Sequence, residues 1–161
     1  MDEQLKVLKV MSEVTNRIDI NSFAQMVGLN IEETMQRMQD LASVGFIRRI
    51  NGGYSITEKG RALLKAVAPL SKELAFHFYT AIGQPTGFLA ESLKDFYEIV
   101  KRVAVESLEF HLYREDFENW IKTVFKDTAL AGALAELRAS YLKGEELRQA
   151  ILKAIASKFN F

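Results

Sequence analysis

The stretch FIRRINGGYSIT, Phe46 to Thr57, leaves the chain little freedom. Two short alternating apolar runs flank Asn51, Gly52 and Gly53, and successive strand side chains point to opposite faces, so a hairpin here must choose one register. With Asn51-Gly52 as a type I′ turn, Ile50 faces Gly53, Arg49 faces Tyr54, Arg48 faces Ser55 and Ile47 faces Ile56. The two isoleucines then share a face with the Arg49 stem and the Tyr54 ring. Moving the turn to Gly52-Gly53 takes Ile47 out of that pairing and sets Ile50 against Ser55, so the first register is expected. Thr57 follows as a cap for EKGRALLKAVA, with Glu58 early in the helix, where its carboxylate favours the dipole.

Helical periodicity governs the residues before the hairpin. Leu5, Leu8, Val10 or Met11, and Val14 form the apolar stripe of a first helix, and RIDI (residues 17–20) is compatible with a short extended segment. Asn21 is expected to cap SFAQMVG, which Gly28 ends, and Asn30 to cap IEETMQRMQDLASVG, which Gly45 stops. In that third helix Ile31, Thr34 or Met35, Met38, Leu41 and Ala42 face inward, while Glu32, Glu33, Gln36, Arg37 and Asp40 face outward. Two short helices joined by GLN make a helix-turn-helix.

Pro69 interrupts the helical pattern, and the periodicity changes after it. The division is therefore a domain at 1–67, a linker at 68–74 and a second domain at 75–161. The 161 residues, 48% hydrophobic, suffice for packed cores. No run approaches the roughly 18 apolar residues of a membrane span, and the charge-interleaved start MDEQLKVLKVMSEV is unlike a signal peptide, so a cytoplasmic location is expected. Zero cysteines exclude disulfides, thiolate zinc sites and a cysteine nucleophile.

Charge provides no general attraction for a polyanion, because 21 basic residues meet 21 acidic ones. Cut after Val67, the halves hold nine basic with eight acidic and twelve basic with thirteen acidic residues. Any nucleic-acid face must be local.

The element order and LASVGFIRRINGGYSITEKGRALL resemble the winged helix-turn-helix of prokaryotic transcription regulators, in which Gly-aromatic-Ile, a hairpin and a Y-x-I/L-T-x-x-G pattern recur. The resemblance covers about residues 3 to 67. It implies a third helix in the major groove of double-stranded DNA, with Gln36 and Arg37 at base edges and Arg48, Arg49, Lys59 and Arg61 on phosphates. Glu32 and Glu33 fit a helix start better than a phosphate contact, and the wing tip is uncharged. Arg48 as a solvated strand residue and Arg49 resting on Tyr54 are the competing readings. Few phosphate contacts per protomer favour a homodimer.

In the second half Phe76 and Phe78 alternate with His77 and Tyr79, GQPTG carries turn chemistry, and FLAES returns as a second strand. Ser92 caps a helix with Asp95 at its third position, and Leu93, Phe96, Tyr97, Val100 and Val103 form its buried stripe. The chain then continues through a helix containing Leu108, His111 and Leu112, helices capped by Asp116 and Asp127, and a last helix after Gly144 that buries Leu147, Ile151, Ala154 and Ile155. The fold class is mainly α with small β-hairpins: a winged helix-turn-helix domain, then a compact helical domain opened by a hairpin.

FHFYT, Gly83, Pro85 to Gly87, Ser92, Leu93, Phe96, SLEFHL, Arg114, Asp116, Phe117 and Trp120 resemble the pattern of an uncharacterised domain family found largely in archaeal and some bacterial proteins. That resemblance implies no activity. His77, His111, Arg114 and Asp116 form either a polar site or a structural corner. No phosphate-binding glycine loop is present, and the ligands for a metal are too few, so no catalytic residue, metal or cofactor is expected. The overall expectation is a DNA-binding transcriptional regulator, not an enzyme, whose second domain dimerises or senses a ligand or partner. The alternative is a winged-helix module that joins proteins without touching DNA.

Overall fold

The computed structural model describes residues 2–14 and 18–161. Its contacts divide the chain into two compact units, Met1–Lys65 and Ala66–Phe161. The fold is mainly helical with two small antiparallel hairpins; nine helices occur among the described residues, and no described helix is long and apolar enough to cross a membrane.

The first unit begins with α1 (Asp2–Glu13), α2 (Ile20–Val27) and α3 (Ile31–Ser43). Val7 and Leu8 of α1 are fully buried, with Phe23, Ala24 and Val27 of α2 and Leu41 of α3. Val7 lies outside the expected stripe of Leu5, Leu8 and Val14. Asp19, not Asn21, caps α2, because its carboxylate accepts the Ser22 amide at 2.9 Å and the helix starts at Ile20. Ile18 and Asp19 carry no strand, while Arg17 of the expected extended segment lies outside the described residues. Asn30 caps α3 as expected, accepting from the Glu33 amide at 2.8 Å.

Gly45, at φ +86°, lets the chain leave α3 through two bonds, Phe46 N–H to the Leu41 carbonyl and Gly45 N–H to that of Ala42. It enters the hairpin of β1 (Ile47–Ile50) and β2 (Gly53–Ile56), paired in the expected register from Ile47↔Ile56 to Ile50↔Gly53. The turn is not type I′: of Asn51 and Gly52 only Gly52 has positive φ, so Asn51 avoids the left-handed region. Thr57 then joins both ends of the motif. Its hydroxyl lies 2.6 Å from the Gly45 carbonyl and accepts the Gly60 amide at 3.1 Å, capping α4 (Glu58–Val67). Gly60 is sterically required, since a Cβ there would sit 2.2 Å from the Phe46 carbonyl oxygen.

The second unit opens with β3 (Phe76–Ala81) and β4 (Gln84–Ala90). Phe76 and Phe78 point inward from β3 as the alternation requires. Most of GQPTG is strand rather than turn: Gln84 and Pro85 pair with Ala81 and Tyr79, and Ile82-Gly83 alone turn the chain. A proline survives there because the register shifts around it, and the Thr86 hydroxyl donates to the Phe78 carbonyl at 2.8 Å.

Helices α5 (Leu93–Val100), α6 (Val105–Tyr113), α7 (Asp116–Phe125), α8 (Thr128–Ala139) and α9 (Gly144–Phe159) follow. Ser92 caps α5 by accepting the Asp95 amide at 2.9 Å, and Asp95 returns a bond to the Glu91 amide at 3.0 Å, one residue earlier than a standard capping box. All five residues of the expected α5 stripe are buried. Asp127 caps α8 as expected. Asp116 does not cap α7; it is the first helical residue, following Glu115 at φ +67°.

The core of this unit is aromatic, with Phe76, Phe78, Phe96 and Phe117 in mutual ring contact. Edge-to-face packing gives such clusters directional preference beyond area burial. Leu147, Ile151, Ile155 and Phe159 of α9 are buried on the side that packs against α5, α6 and α8, while Ala154 is only half-buried. Arg148 of α9 donates to the carbonyls of Val100 and Val103, both at 2.7 Å, and so closes the end of α5.

Candidate functional site

The six basic or amide side chains expected at DNA separate into three groups. Gln36 and Arg37 of α3 are engaged within the protein: Gln36 donates to Asp40 at 3.0 Å, and Arg37 donates to Glu3 at 2.9 Å and to Asp40 at 2.8 Å. These bonds, Glu3 first, hold the Arg37 guanidinium above its ordinary pKa, and the Gln36 bond, then Arg37, holds Asp40 below the ordinary carboxylate range. Arg37 therefore faces α1.

Lys59, half-buried, and Arg49, exposed, each lie over an aromatic ring. Lys59 donates to the Val44 carbonyl at 2.9 Å and lies 5.0 Å from the Phe46 ring centre, while Arg49 sits 6.0 Å from the ring of its cross-strand partner Tyr54. Arg48 and Arg61 are exposed and have no partner among the described residues.

An apolar groove of about 650 Å³ is bordered by Met11 and Val14 at the end of α1, by Ile18 and the residues Ile20 and Phe23 of α2, by Met35, Met38 and Gln39 of α3, and by the hairpin tip from Ile50 to Tyr54. Thr34 takes the inward position on α3, its hydroxyl bonded to the Asn30 carbonyl at 2.8 Å, so Met35 is left outside. Met35 is 50% exposed, Ile50 46% and Ile31 40%, against the expectation that Ile31 faces the core. Gln39, also exposed, stands one helical turn beyond Met35. Neither Met35 nor Gln39 was singled out as a contact residue from sequence. The spacing of four from Ile31 to Met35 to Gln39 was the available signal, masked by the equal fit of Thr34 to the inward stripe.

In the second unit His111 is 4% exposed and ringed by Phe76, Phe110 and Phe117. Its Nε2 accepts the Tyr79 amide at 2.7 Å, so its proton is on Nδ1, which donates to Asp116 at 2.8 Å. Burial pushes the imidazole pKa below its ordinary value, with Asp116 opposing that shift. Arg114 lies 3.5 Å from the same carboxylate and 4.6 Å from the Phe110 ring centre. His77 does not join them; it is exposed on the opposite side of β3 from Phe76 and Phe78. His111 thus fastens the start of α7 to β3, and both of its nitrogens are used in doing so. No group of three histidines or carboxylates suited to a metal occurs among the described residues.

This corner lies within residues 56–156, which match the family described as "Family of unknown function (DUF5752)". The chain belongs to that family. The DUF5752 segment starts at the last residue of β2, takes in α4 and the Thr57 and Gly60 junction, and runs nearly to the end of α9. Helices α1 to α3, with Gln36, Arg37, Met35 and Gln39, precede it. No curated protein and no solved structure matches the chain.

Proposed function

We propose that the chain is a DNA-binding transcriptional regulator: the first unit is a winged helix-turn-helix that docks duplex DNA, and the second unit mediates dimerisation or senses a ligand or partner. The observation that carries this reading is α3 lying beside a short hairpin with its outer face uncovered, while Arg48 and Arg61 have no partner among the described residues. The Arg37 ion pairs do not oppose it strongly, since surface pairs in water are weak and a phosphate can displace a carboxylate.

The test is a salt titration of the full chain with genomic duplex fragments, beside Arg48→Ala plus Arg61→Ala. A dimer by light scattering, with binding that falls steeply with salt, is expected. The double variant should flatten the slope of log affinity against log salt by about two per bound protomer.

A second reading, a winged-helix module that docks protein, is favoured by one observation: Ile31, Met35 and Ile50 are exposed on the same unit where Arg37 and Lys59 are engaged. Absence of duplex binding by folded protein at low salt, with capture of a partner lost in Met35→Asp, selects that reading.

A further inference from the structure

We infer that the duplex this protein prefers contains an A·T pair read by Gln39, with a thymine one or two base pairs away touched by Met35; the inference rests on the DNA-binding reading above. The usual polar readers on α3 are occupied. Gln36 is bonded to Asp40, and Arg37 is turned toward Glu3 on α1. Gln39 is the exposed α3 amide with no partner among the described residues, and it sits beside the hairpin tip. A glutamine amide matches adenine in the major groove, donating to N7 while its oxygen accepts from the N6 amino group.

Met35 lies one turn earlier on the same side of the helix, about 6 Å along the axis, and this advance spans one to two base-pair steps. An exposed thioether chain has nothing to donate to a base edge. The major-groove feature that suits it is the 5-methyl group of thymine. Charge supports a nucleic acid as the occupant: Arg48 shares its face of β1 with Ile50, which borders the groove, and it has no carboxylate partner among the described residues.

The experiment selects duplexes from a random-sequence pool with the full chain, resynthesises the best binder, and replaces thymidine by deoxyuridine or adenine by 7-deazaadenine. Deoxyuridine lacks only the methyl group; its introduction at the key position should weaken binding about fourfold, the worth of one buried methyl. The 7-deaza change, which removes the N7 acceptor, should weaken it at least fivefold. Met35→Ala should become indifferent to deoxyuridine and Gln39→Ala to 7-deazaadenine, with both variants melting like the parent because both side chains are exposed.

Salt-sensitive binding without A·T preference, or variants that keep the parent's discrimination, would overturn this inference and leave DNA binding standing. No binding to any duplex would overturn both.

Discussion

The His111 ring and the Tyr79 backbone are joined by a bond in which the imidazole, not a neighbouring strand, accepts the amide of β3 at 2.7 Å. A protonated His111 cannot accept that bond. Because burial lowers its pKa below 6.5, the unfolded chain takes up the proton first as pH falls. This contribution to stability is complete above about pH 6.5 and is lost as pH drops through the folded-state pKa. Melting of the intact protein should show it as a midpoint that falls from pH 8 to pH 5, and His111→Gln should flatten that fall.

Gly60→Ala should destabilise the first unit by about 1–3 kcal/mol, because the new methyl meets a backbone oxygen that cannot swing away. Gly132→Ala makes the contrast. Nothing lies within 4 Å of a Cβ there, in the middle of α8, so a gain of about 0.5–1 kcal/mol is expected. Urea unfolding of the two variants reads both signs.

Arg148→Met keeps the aliphatic stem of a side chain only 11% exposed and removes the donor shared by Val100 and Val103. Two carbonyls at the end of α5 then lose a charged donor. A loss of about 2 kcal/mol is expected, measurable as a lower urea midpoint at unchanged slope.

Glu3→Gln frees Arg37 from its longest-range ion pair and removes a negative charge of α1 from beside α3. If this unit docks DNA, duplex affinity at low salt should rise a few-fold, with the gain fading at high salt. An unchanged or weaker affinity would place Arg37 away from the phosphates.

What the sequence made legible was whatever depends on neighbours in the chain. The β1–β2 register follows from the pairing of Ile47 with Ile56 that period-two alternation favours, although the turn is not of the expected type, and Asn30, Thr57, Ser92 and Asp127 cap as their side-chain oxygens dictate. Partners distant in sequence were hidden. Glu3 takes Arg37 from 34 residues away, and His111 reaches back 32 residues to Tyr79. Asp116 looked like a cap because aspartate before a helix usually is one; its carboxylate is instead turned back to a histidine of the preceding helix. Asn21 was expected to cap α2, but the helix begins one residue before it and the Asp19 carboxylate takes that role. The outward face of α3 depended on whether Thr34 or Met35 took the core position, a choice settled by the threonine hydroxyl finding the Asn30 carbonyl.

The last helix has a consequence for how the molecule is made. Phe159, at the end of α9, is buried to 1%, and Arg148 of the same helix supplies the bonds that close α5. While a ribosome still holds this segment, α5, α6 and α8 lack the helix that packs on all three. The core of the second unit must therefore wait for the turns of α9 to emerge before it can close.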